Sequence, residues 1–473
     1  MPTAPAIPRH RRLFANRTLN LRGIRAIGYD MDYTLIHYYV DRWERRAFEY
    51  LTEKLALAGL PIEGLVFDPE WVIRGLIFDM QLGNIVKADR FGYVKRAAHG
   101  TRMLDFEEQR QVYGRVTVDL REPRWVFLNT LYSLSEGCLY AGLVDALDHG
   151  RLGAASVKSY LDLYHLVKKL LDEAHAEGHL KAEIIASPDT YVDLDPELPQ
   201  TLFDQKNAGK RLVLITNSEW HYSAAMMSFA FDRFMPAGRS WRDLFDLVIV
   251  GARKPNFFSS KNPVFEVVSD DGLLRPVVGP LRDGGVYLGG DAATVETHLG
   301  LSGAEILYVG DHIFTDVNVT KSVMRWRTAL VLRELELEVQ AEDAFADKAR
   351  ELSTLMAEKE SLEHDLSTQR LGLLRRQQAG ASRGERDGLE RELARVREAI
   401  VQLDERIGPF AREAGELLNA RWGLLLRAGN DKSHLARQVE RYADIYTSRV
   451  SNFLAHTPFE FLRPPRSSLP HDP

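Results

Sequence analysis

The 473-residue sequence holds a single cysteine, Cys138, which excludes an internal disulfide and suits a reducing compartment. Long hydrophobic runs are missing too. No stretch approaches the length of a membrane span, and the opening "MPTAPAIPRHRRLFANR" has basic residues without the apolar block of a signal peptide. Nor is there an excess of positive charge: 61 Lys and Arg face 67 Asp and Glu, a formal net charge of -6, which argues against a dedicated nucleic-acid binder. These absences lead to the expectation of a cytoplasmic protein with no nucleic-acid polymer and no membrane among its partners. What is present, 45% hydrophobic and 27% charged residues, is ordinary globular composition. On length alone the chain has room for roughly two to four domains.

Short apolar runs that end in polar residues stand out: "IRAIGYDMD" (24–32), "RLVLITN" (211–217), "DLVIVGARKP" (246–255) and "EILYVGDHIFTD" (305–316). Near-continuous aliphatic runs of this kind suit strands buried on both faces, as in a parallel sheet covered by helices. Ligands of open α/β sheets bind beyond the carboxyl ends of the strands, so all these runs deliver their polar residues to one edge. The expected core is residues 1–40 and 190–335. The long interval between the first two runs exceeds a simple crossover, and residues 41–189 have their own aromatic and aliphatic content, which predicts an inserted cap domain.

From residue 336 the composition turns to Glu, Arg, Leu and Ala. Leu352, Leu355, Leu362, Leu366 and Leu373 fit one heptad seam; Leu389, Leu393, Val396, Ile400, Leu403 and Ile407 fit a second. With "QQAGASRGERDG" as the turn, residues 336–430 read as an antiparallel coiled-coil hairpin. Residues 431–462 are expected as a C-terminal helix packing on the core, and 463–473 as a disordered tail.

Asp30 and Asp32 lie two apart on an extended segment and so point the same way, where they repel unless a cation or shared proton relieves them. Asp311 and Asp316 bring further acids to the same edge, which implies a hard divalent cation such as Mg²⁺. Lys254 supplies positive charge, and Thr216 with Asn217 supplies hydroxyl and amide donors; together these make a receptacle for a phosphoryl group. An acid so flanked can act as nucleophile, and a second acid two residues on can move the proton. Each piece has a plain alternative: a DxD pair at a turn, "TN" as a helix cap, a surface lysine before proline. Their order, each at the end of an apolar run, is what singles out the chemistry.

At these residues the sequence resembles the haloacid dehalogenase superfamily, and within it the cytosolic purine 5′-nucleotidases of the IMP/GMP-preferring branch. The likeness extends over "RGLIFDMQLGNIVKADRFGYV", "FLNTLYSL", "VLITNSEWHYS" and "RYADIYTSRVSNFL". The resemblance implies a Rossmann-like core with Asp30 as phosphorylated nucleophile and Asp32 as general acid/base. Mg²⁺ would be held by the Asp30 carboxylate, the Asp32 carbonyl and the Asp311 carboxylate, with Asp316 in support. Thr216, Asn217, Lys254 and Lys181 would bind phosphate. In the cap it implies Tyr132 stacking on the purine with Asn129 close by, and Lys168, Asp172 and His175 reading the base from the helix of "KKLLDEAHAEGHLK". Lys168 departs from the usual arginine, giving a point charge where a fork is customary. Phe314 and Arg441 fall at effector positions, but Ser322 replaces a lysine there and the acidic tail of mammalian relatives is missing.

The expected activity is therefore Mg²⁺-dependent hydrolysis of purine nucleoside 5′-monophosphates, with transfer of the phosphate to another nucleoside as a further possibility. A homo-oligomer, dimer or tetramer, is expected. The alternatives are a phosphatase for another small phosphoester and a non-catalytic oligomeric scaffold built on the hairpin.

Overall fold

The computed structural model describes residues 7–131, 134–152, 157–380 and 382–466. It divides into two units, residues 1–336 with 425–473 and residues 337–424.

The larger unit is mixed α/β around a ten-stranded sheet. At its centre the strands Ile306–Gly310, Ala26–Tyr29, Arg211–Ile215 and Leu247–Val250 lie side by side and parallel. Their residues are almost all buried, which is why their sequences are continuous apolar runs and not alternating ones. Arg327–Val331 and Gly285–Gly289 extend the parallel array on either side. The sheet departs from all-parallel at its margins: Val264–Val267 and Leu274–Pro276 add antiparallel strands at one edge, and Phe14–Ala15 adds one at the other.

One expectation is corrected at the C-terminal end. Residues 431–462 do not form one helix. Ser433 caps a helix of nine residues, His434–Tyr442, by accepting from Ala436 N, and the strand Ile445–Thr447 then joins the sheet parallel to Arg327–Val331. β-branched and aromatic side chains after the helix stop favour the pleated, half-buried surface.

Between the first two central strands the chain builds a second, antiparallel sheet in the order Arg102–Met103, Val94–His99, Asn84–Ala88, Ile77–Asp79, Trp125–Phe127. Its apolar face gathers Ile77, Val86, Ala97 and Trp125. The chain leaves and re-enters this segment through a two-stranded ribbon, His37–Tyr38 antiparallel to Val192–Asp193. Residues 168–181, read as one helix, are split: Tyr160–Glu177 ends at Gly178 in the left-handed conformation (φ 71°), and Lys181 stands on the next helix, His179–Ala186.

The smaller unit contains most of the long helix Leu335–Gln378 and the helix Arg383–Glu416. Leu355, Leu403 and Ile407 are buried together, with Leu352, Met356, Leu362 and Phe410 against them. Lys348 pairs with Glu413 and Lys359 with Asp404, each at 2.6 Å, so the helices run in opposite directions. Among the described residues, no helix of either unit is long and apolar enough to cross a membrane.

Candidate active site

Beyond the carboxyl ends of the central strands lies a cavity of about 290 Å³ lined by Asp30, Asp32, Thr216, Asn217, Lys254, Asp311 and Asp316, together with Thr130, His312 and Thr315. Residues far apart in sequence meet here because all but Thr130, which comes from the inserted segment after the strand Trp125–Phe127, end or follow one of the parallel strands. Close approach of the backbones helps. A side chain at Gly28 would sit 2.8 Å from the Tyr308 ring, and one at Gly310 would sit 2.6 Å from Asp316, so both positions need glycine for the strand to pass.

Lys254 is the centre of charge. Its Nζ lies 2.8 Å from Asp30 Oδ1 and 2.8 Å from Asp316 Oδ1, and it donates to Tyr308 OH at 3.0 Å. Burial pushes the ammonium down, but the carboxylates of Asp30 and Asp316 overcome this and hold it well above its usual range. Burial lifts the Asp30 carboxyl to about 7, with Lys254 pulling it down and Asp316 pushing it up. Asp311 is also raised, by burial and then by Asp316 and Asp30. Asn217 locks the lysine loop: its Nδ2 donates to the Lys254 carbonyl at 3.2 Å and its Oδ1 accepts from Lys254 N at 2.6 Å.

Asp32 lines the same cavity but is held by other partners. Its two carboxylate oxygens accept from Tyr38 OH at 2.5 Å and Ser218 Oγ at 2.7 Å, and Lys181 Nζ donates to Ser218 Oγ at 3.0 Å. Lys181 is thus joined to the site through a serine. Asn129 is next to the cavity-lining Thr130, and its buried Oδ1 has no hydrogen-bond partner among the described residues. Lys168 and Asp172 pair with each other at 3.2 Å on an exposed helix face and do not line the cavity. Tyr132 and the side chain of His175 lie outside the described residues.

Sequence reasoning missed Tyr38, Ser218, Tyr222 and Arg74. Arg74 is buried, forks onto Glu334 through Nε and Nη2, and donates from Nη1 to the Asp311 carbonyl at 3.3 Å. The one available signal was its place in the "RGL" block, since a fully buried arginine is rare without a paired partner.

Carboxylate oxygens of Asp30, Asp311 and Asp316 lie within 4.8 Å of one another. An all-oxygen, all-acid donor set of this size suits a hard cation that keeps some waters and takes a phosphate oxygen, so the residues fit Mg²⁺.

Buried acids that repel unless a cation joins them, beside a lysine and amide donors poised for an anion, describe a hydrolase for phosphoric monoesters. The chain belongs to the 5′ nucleotidase family, whose model matches residues 13–473. It is 28% identical over 478 residues to a 5′-nucleotidase domain-containing protein of Dictyostelium discoideum, covering 97% of this chain and 74% of that one. Among solved structures, a haloacid dehalogenase-like hydrolase from Xanthomonas campestris is 12% identical with a TM-score of 0.26, covering 65% of this chain and 82% of that chain. An archaeal β-phosphoglucomutase from Pyrococcus is 12% identical with a TM-score of 0.27, covering 65% and 87%.

Proposed function

We propose that the protein is a Mg²⁺-dependent 5′-nucleotidase acting on purine nucleoside 5′-monophosphates such as IMP or GMP through an aspartyl-phosphate. The observation that carries this reading is the arrangement of Asp30 and Asp316 on the buried Lys254 with Asp311 beside them.

In the first half-reaction Asp30 Oδ attacks phosphorus, the bond from phosphorus to the ribose 5′-oxygen breaks, and Asp32 gives its proton to the departing oxygen. In the second, water attacks the phosphoryl group, its proton passes to Asp32, and the bond to Asp30 breaks to release phosphate. Lys254, Thr216 and Asn217 hold the phosphoryl oxygens, and Asp316 keeps the lysine in place. Asp30, Asp311 and the Asp32 carbonyl would hold a divalent cation, which when bound would supply positive charge to offset the acids and the phosphoryl oxygens.

Residues 41–189 act as a cap that excludes water and selects the nucleoside, with Asn129, Tyr132, Lys168, Asp172 and His175 as its contacts and Lys181 on the phosphate. A nucleoside 5′-hydroxyl competing with water in the second half-reaction gives phosphotransferase activity. Residues 336–430 form a coiled-coil arm for homo-oligomer assembly, and the protein works in the cytoplasm.

The test is phosphate release from a panel of nucleoside monophosphates and an aryl phosphate, with Mg²⁺ or EDTA. Mg²⁺-dependent release that is strongest with IMP or GMP supports the reading; release from the aryl ester alone removes the purine assignment.

A further inference from the structure

One pair of short strands in the inserted segment ends at the acid cleft. Ile77–Asp79 and Trp125–Phe127 run antiparallel, and bonding continues beyond them: Gly75 N donates to the Leu128 carbonyl at 2.6 Å and Leu128 N donates to the Leu76 carbonyl at 2.9 Å. Two residues after Leu128 comes Thr130, the cavity-lining residue that this segment supplies among the described residues. Arg74, directly before Gly75, stands at the same end of the ladder.

Both strands are docked on the loop that carries Asp311 and Asp316. Arg74 forks onto Glu334 through Nε, at 3.0 Å, and Nη2, while its Nη1 donates to the Asp311 carbonyl at 3.3 Å. A guanidinium is rigid and planar, so seating two nitrogens on Glu334 fixes where the third points. The backbone beside it is equally constrained. Gly75 has a φ of 93°, and a Cβ there would lie 2.9 Å from Leu435 Cβ, on the helix His434–Tyr442. On the partner strand, the Phe127 ring stands edge-on to Phe314 at 6.0 Å, within the helical stretch Ile313–Asn318 that includes Asp316.

Neutralising Glu334 is not enough to explain a buried arginine. The Glu334 side chain keeps 23% of its surface exposed and can be hydrated, whereas the Arg74 side chain keeps 1% and loses its water. What the arginine secures is position. We propose that Arg74 is a positioning residue that couples the Asp311 loop to the loop of Asn129 and Thr130, so that a divalent cation in the cleft orders the nucleotide-facing loop. This rests on the cation site and the cap contacts set out under the proposed function. Restraining the Asp311 backbone restrains Arg74, and Arg74 restrains the ladder end from which Asn129 and Thr130 continue. A ligand that orders one loop lowers the cost of ordering the other, and the effect is reciprocal.

The experiment follows backbone hydrogen exchange of residues 74–80 and 125–131 with and without Mg²⁺ in wild type, Arg74→Lys and Arg74→Met, together with KM for IMP and for p-nitrophenyl phosphate. Lysine keeps the charge but reaches only one of the two partners. In wild type, Mg²⁺ is expected to slow exchange at the Gly75 and Leu128 amides by about 5- to 20-fold, a usual size for coupling between sites. In both variants the slowing should fall below about twofold, while the amides of Ala26–Tyr29 and Arg211–Ile215 stay as protected as in wild type, which shows the fold intact. KM for IMP should rise by about 10-fold and KM for the aryl ester, which has no nucleoside to present to that loop, by no more than about twofold. No Mg²⁺-linked slowing in wild type, or the same slowing in the variants, overturns the proposal even where Mg²⁺-dependent turnover of IMP upholds the proposed function. Slowing that Arg74→Lys and Arg74→Met abolish, in a protein that releases no phosphate from any nucleotide, upholds the coupling and removes the nucleotidase reading.

Discussion

The acid cleft and the helical pair of residues 337–424 use charge in opposite ways. In the cleft, Lys254 and Asp316 have side chains only 2% and 1% exposed and sit 2.8 Å apart. In the helical pair, Lys348 and Glu413 keep 51% and 46% of their side chains exposed. Buried charges cost free energy that their mutual attraction only partly returns, whereas exposed pairs cost and gain little. Dense burial of charge thus marks where the chain gives up stability for chemistry, and the helices mark where it does not.

The largest expected effect lies in the cleft. Asp30→Asn should abolish turnover, a fall of at least about a thousandfold in kcat, because no attacking carboxylate remains; steady-state phosphate release measures it. Next comes Lys254→Met, which leaves Asp30 and Asp316 facing each other without compensation. Removing one partner of a buried pair costs about 3–5 kcal/mol, read by denaturant unfolding, and activity should fall with it. Weakened destabilisation at high Mg²⁺ would sharpen the contrast by showing that a cation substitutes for the lysine's charge.

The helical pair should answer to apolar truncation instead. Leu403→Ala is expected to cost about 2–4 kcal/mol of that unit's stability, as hydrogen exchange in residues 352–410 would report, with kcat unchanged. Substituting Lys359 by alanine should produce no measurable change in either quantity, and a clear loss of activity there would break the comparison.

Glu44 offers a finer probe on the buried side. Burial raises its carboxyl to about 7, although Ser135 N donates to it at 2.8 Å. Its folded pKa lies above its unfolded one, so the contribution to stability is full below the unfolded value and is lost as pH rises through about 7. Glu44→Gln should therefore lose less melting temperature than wild type between about pH 5 and pH 8.

Legibility in the sequence divides along the same line. The central strands could be read because burial on both faces writes itself as unbroken apolar runs, and their polar ends located the acids, Thr216, Asn217 and Lys254. The marginal antiparallel strands, such as Leu274–Pro276, are exposed and leave no such pattern. Tyr38 was hidden inside "LIHYY", which reads as one more apolar strand. Its contact with Asp32 depends on the tight reversal in which Thr34, Leu35 and Ile36 all donate to the Met31 carbonyl. Arg74 was hidden by distance, since its partners Asp311 and Glu334 meet it only once the inserted segment has folded back. Ile445–Thr447 followed a good helix pattern, and the sheet's need for another strand outweighed it.

Because His37–Tyr38 lies against Val192–Asp193, the chain leaves the large sheet and comes back to it through a single doorway. What runs between also reaches back to the core, through Arg74 on the Asp311 carbonyl and Lys181 on Ser218. Closing a loop costs free energy that grows with the logarithm of its length. Sequence beyond the doorway that does not make these returning contacts can lengthen or shorten at small cost in loop closure while the strand register stays fixed.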